Sequence, residues 1–146
     1  MIDLKQIMKK IILFMFFANS SISSWAQSLF FDNLNNSVWR SEVSYNNDTT
    51  IRSENHIGLY RLRLPADSLK DNATIWEFKN KVLTIKHYNY QKRKYSLIGV
   101  FTYQTDPDKG ILKLSLNEGE SIEYEVGITS TGNYVDLGKR KIKGKR

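Results

Sequence analysis

A chain of 146 residues without a single cysteine has no disulfide, no thiolate metal site and no thiol through which its N-terminus could carry a lipid. Its 22 Lys and Arg outnumber its 15 Asp and Glu, but six of the cations lie between Lys139 and Arg146. A near-neutral body with a basic end is not the uniformly basic surface of a nucleic-acid-binding domain, and no nucleic-acid partner is expected.

Residues 1–26 have the three parts of a secretory signal: the cations Lys5, Lys9 and Lys10, an apolar run from Ile11 to Ala18, and Ser24-Trp25-Ala26 before the cut. The apolar run breaks at Asn19-Ser20-Ser21, well short of the roughly 20 residues that cross a bilayer. The expectation is a cleaved signal peptide over 1–26, a mature chain from Gln27, and a periplasmic or extracellular bacterial protein that is not a lipoprotein. Removing 26 of 146 residues leaves 120, enough for one domain with one core.

After an arm with the apolar knot Leu29-Phe30-Phe31, Val38 to Tyr45 alternates, with Trp39, Val43 and Tyr45 expected inward. A polar loop from Asn46 to His56 follows, and Ile57 to Leu64 forms a second strand with Tyr60, Leu62 and Leu64 inward and Arg61 and Arg63 outward. Pro65 ends it, because proline cannot donate to a ladder. Thr74 to Ile85 reads as a hairpin turning at Asn80-Lys81. Trp76, Phe78, Leu83 and Ile85 share its inner face, and His87 continues their parity. Lys94 to Gln104 is apolar on both faces, with Tyr95, Leu97, Phe101 and Tyr103 on one and Ile98 and Val100 on the other. Such a strand is either covered outside or sticky. Three more strands follow, carrying Leu112, Leu114 and Leu116, then Ile122, Tyr124, Val126 and Ile128, then Val135 and Leu137.

Eight short strands with no helix of useful length predict a single all-β domain, an eight-stranded antiparallel up-and-down β-barrel over 27–138 with a basic tail at 139–146. In that order, the connections Asn46 to His56 and Thr105 to Gly110 share one rim, the expected mouth. Trp39, the arm and the tail lie at the other. An eight-stranded interior is either just filled by side chains or holds one small ligand.

Ser37-Val38-Trp39, the run from Trp76 to Ile85, and Tyr124 to Leu137 together resemble the lipocalin-like proteins exported by bacteria, over nearly the whole mature chain. The resemblance implies a barrel closed at Trp39, with a basic side chain of the last strand, Lys139 or Arg140, lying over that ring. Trp39, Trp76 and Phe78 are expected to be structural.

Tyr45, Tyr60, His87, Tyr103 and Tyr124 are the ligand-binding candidates, since inward hydroxyls and an imidazole need partners. No Gly-framed serine, phosphate loop or paired carboxylate is present, so no enzyme is expected. His56 and His87 lack the companions of a metal site, Asp106 to Gly110 reads as a turn, and no cofactor is expected. Two readings remain. One is a carrier of a small apolar or amphipathic molecule. The other is a filled barrel that binds a protein partner through its fifth strand. The basic tail adds a possible contact with an anionic membrane or glycan.

Overall fold

In the computed structural model the described residues are 5–12, 27–45, 47, 52–63, 68–116, 119–129 and 132–140. Residues 5–12 are helical, whereas the rest of the stretch 1–26 expected to be a signal peptide and residues 141–146 lie outside the described set, as does Leu64. The strands are β1 (Ser37–Ser41), β2 (His56–Arg61), β3 (Ala73–Lys79), β4 (Val82–Asn89), β5 (Lys94–Asp106), β6 (Ile111–Ser115), β7 (Ser121–Ile128) and β8 (Tyr134–Lys139). All neighbours pair antiparallel, and the sheet closes into an eight-stranded barrel.

The β3–β4 hairpin sets the register, as its alternation requires. Trp76 faces Ile85, Phe78 faces Leu83, and all four are fully buried. Asn80 and Lys81 both have positive φ, 52° and 61°, the hand of a two-residue type I′ turn whose twist matches the strands. Asn80 N–H also donates to Asn35 Oδ1 at 2.7 Å, which ties this turn to the N-terminal arm.

The strand order around the barrel is β1-β2-β8-β7-β6-β5-β4-β3, which departs from the expected up-and-down order in one place. β1 lies between β2 and β3, so Trp39 pairs with Arg61 on one side and Trp76 on the other. β2 and β3 therefore run parallel to each other, and the chain between them crosses β1. Arg40, on the outer face of β1, holds Asp71 of that crossing at 2.6 Å. Near where the crossing enters β3, outward-facing Ala73, Ile75 and Tyr88 are buried, apart from the interior cluster. Alternation is satisfied by any antiparallel neighbour, which is why the sequence pattern does not reveal the exchange.

The exchange also reassigns the rims. The connection from Asn46 to His56 shares an end with the β4–β5 and β6–β7 turns and with the end of β8. The turn from Thr105 to Gly110 lies at the opposite end with the arm and the β3–β4 turn, so these two connections do not form one mouth. Trp39 does sit with the arm, but β8 delivers the tail to the other end.

Two strands have a parity other than the expected one. In β2, Ile57 and Leu59 fill the core, which turns Tyr60 outward at 48% exposure and aims Arg61 to the inner side at the rim. The five apolar residues between Ile57 and Leu64 fit either phase, and the barrel selects the phase that begins earlier. In β5, Ile85 pairs with Gly99 but Lys86 pairs with Leu97, so Ile98 is an extra residue in a bulge. The bulge splits the expected faces. Phe101 and Tyr103 are buried inside and Ile98 packs on the core, while Tyr95, Leu97 and Val100 face outward. A Cβ at Gly99 would stand 2.6 Å from Phe101 Cζ, so only glycine leaves the ring its place. Gly99→Ala should cost about 1–3 kcal/mol as overpacking, read from the urea midpoint. An unchanged midpoint would show that Phe101 yields freely.

Candidate functional site

The end of the barrel nearest the arm is filled. Phe30 meets the Trp39 ring edge-on at 5.5 Å and Phe31 at 5.1 Å, with Leu34 buried beside them. The local chain enforces this plug. Ser37 Oγ donates to Leu34 O and accepts the indole N–H of Trp39 at 2.7 Å, joining arm, strand and ring. The cation over Trp39 is Arg61, 5.8 Å from the ring centroid. Lys139 and Arg140 lie at the other end, where Lys139 Nζ donates to Arg52 O and Arg140 pairs with Glu123 at 3.4 Å and Glu125 at 3.5 Å. The basic side chain expected from the last strand thus comes from β2, because β2 is the strand beside Trp39. Phe78 and Tyr103 continue the packing with an edge-on contact of 5.2 Å.

Toward the opposite end the interior becomes polar. After β1 leaves the ladder at Ser41, Tyr45 folds back into the barrel and is buried. Thr74 Oγ1 fixes its backbone, accepting the Tyr45 N–H at 2.5 Å and donating to Tyr45 O at 3.1 Å. The Tyr45 phenol lies near Ser41 and near Tyr124 of β7. Burial raises the pKa of Tyr45, with Glu54 and Glu42 adding to it and Ser41 opposing. Tyr124 is raised as well, first by burial and then by Tyr45. Among the described residues three interior side-chain atoms lack a hydrogen bond of normal geometry: Ser41 Oγ, which lies against the Tyr45 phenol, Trp76 Nε1 and Tyr124 OH. Leaving such a group buried and unpaired costs about 1–3 kcal/mol. His87 stands at the rim of this end, half-buried, its Nδ1 3.4 Å from Ser44 Oγ.

Of the candidate binding residues, Tyr45, His87 and Tyr124 therefore occupy this end, while Tyr103 belongs to the aromatic packing with Phe78. Tyr60 lies outside, its ring 4.8 Å from that of Tyr134. Val43, expected inward, is 54% exposed because the strand ends before it. Ser41 and Trp76 Nε1 were not singled out by sequence reasoning. A signal was present for Ser41, which sits two residues from Trp39 and so shares its inward parity. Trp76 was legible as packing, but nothing in a sequence tells whether a buried indole N–H finds a partner.

On the outer wall Asp136 accepts from His56 Nδ1 at 3.1 Å, and Tyr134 OH donates to Glu42 at 3.4 Å. Among the described residues no group of three His, Cys, Asp or Glu side chains could hold a metal ion, and no helix is long and apolar enough to cross a membrane. The chain matches no protein-family model, no curated protein and no solved structure.

Proposed function

We propose that the protein is an exported, lipocalin-like, non-catalytic barrel that carries a small amphipathic molecule in its polar end. The observation that carries this reading is that, among the described residues, three buried groups lack a well-formed hydrogen bond: Ser41 Oγ beside the Tyr45 phenol, Trp76 Nε1 and Tyr124 OH. An indole N–H only donates, and both hydroxyls can donate, so the three together suit a ligand presenting acceptor oxygens. None of the three groups is a cation, so an uncharged carbonyl or ester suits them better than a carboxylate, whose charge would be costly to bury. The aromatic filling around Trp39, Phe78 and Tyr103 leaves the polar end as the place for such a head group. His87 and Ser44 stand where it would enter.

Native mass spectrometry of the protein purified from its own host tests this. The wild type should retain a small molecule, and the double variant Ser41→Ala, Tyr124→Phe should retain at least about tenfold less, since two hydrogen bonds of about 1 kcal/mol each are lost. Wild-type protein without any bound molecule, or equal retention by the variant, would remove the carrier function.

A further inference from the structure

The outer face of the β4–β5 hairpin plays no part in that interior. Beside it the chain crossing from β2 to β3 leaves a cleft of ≈ 480 Å³ lined by Leu69, Lys70, Tyr88, Tyr90, Arg93 and Tyr95. Lys92, Arg93 and Lys94 form the turn and the start of β5. With Lys70 they are exposed, and none has an ion pair among the described residues. Among the described residues the nearby acids Asp71 and Glu77 are committed elsewhere, to Arg40 at 2.6 Å and to Lys86 at 2.8 Å. Continuing up the same wall, the bulge at Ile98 turns Leu97 and Val100 outward at 65% and 55% exposure.

We propose that this face docks on an anionic lipid bilayer. Cations around tyrosines at one end, with aliphatic side chains following along the wall, match the layers of a bilayer surface. Lys and Arg meet phosphates, Tyr rings sit at head-group depth, and Leu and Val reach the acyl boundary. An anionic saccharide would use the cations and the tyrosine-lined cleft but would leave Leu97 and Val100 without a role. The uncompensated positive charge decides the sign of the surface, and the aliphatic pair decides that it is lipid.

Co-sedimentation of the full chain with phosphatidylcholine vesicles, with and without phosphatidylglycerol, provides the test. Binding should need the anionic lipid and fall with added salt. The triple variant Lys92→Gln, Arg93→Gln, Lys94→Gln should weaken it by about fivefold per cation, on the order of 100-fold in all. Leu97→Ser with Val100→Ser should weaken it too. All five positions are exposed, and unchanged near-ultraviolet circular dichroism would show that the fold is intact. Failure of the wild type to sediment, sedimentation unaffected by the triple variant, or loss only when residues 141–146 are deleted would overturn the proposal. So would binding to a uronate oligosaccharide in place of vesicles, or capture of a protein partner that survives the triple variant.

Discussion

Trp39→Ala should destabilise the barrel by about 3–5 kcal/mol, a large share of the total stability of a domain this size. The ring is buried, it receives Phe30 edge-on, and its N–H donates to Ser37 Oγ, the hydroxyl that itself donates to Leu34 O of the arm. Truncation thus leaves a cavity and also unfastens residues 27–34. Hydrogen exchange should accordingly report loss of protection in the arm beyond that in the strands. A variant that loses stability evenly, with the arm still protected, would show that Trp39 acts as filling only.

Tyr124→Phe should do the opposite and raise stability by about 1–3 kcal/mol in ligand-free protein, since it removes a buried hydroxyl without a partner and keeps the ring. Reduced stability would mean that the hydroxyl is satisfied, and the three-donor site would lose a member. The same residue sets an alkaline limit. The folded protein holds the Tyr124 proton above the ordinary value of 10.0, so from that pH upward the unfolded chain binds fewer protons than the folded one. Stability is then intact below about pH 10 and falls as pH rises through the folded value. Tyr45 and Tyr103 act in the same direction, and the fall should be shallower in Tyr124→Phe.

The fold was legible wherever one strand face is apolar and the other is not. β3, β4, β6, β7 and β8 have the expected inward residues, because in each a shift by one would have exposed a whole row of large side chains. β2 and β5 offer apolar residues in both phases, so alternation alone could not choose between them. The bulge that divides β5 falls at Ile98, beside Gly99, whose missing side chain leaves room for the Phe101 ring, a three-dimensional fit. At the polar end, Tyr45, His87 and Tyr124 were recognisable as inward groups with hydrogen-bonding capacity. That Ser41 Oγ and Trp76 Nε1 lack well-formed hydrogen bonds emerges only from the accounting of who bonds to whom.

The position of β1 between β2 and β3 also bears on how the barrel is assembled. The chain from β3 to β8 is an unbroken meander with two unpaired margins, and the β1–β2 ribbon fits between them as a single wedge. The N-terminal strand is made first but is of no use until its later neighbours exist. Closure is therefore expected as a late, long-range event, and a ribbon attached through an eleven-residue crossing is one that a second molecule could donate at high concentration. Pulse-labelling exchange that found β1 protected ahead of the meander would contradict this order.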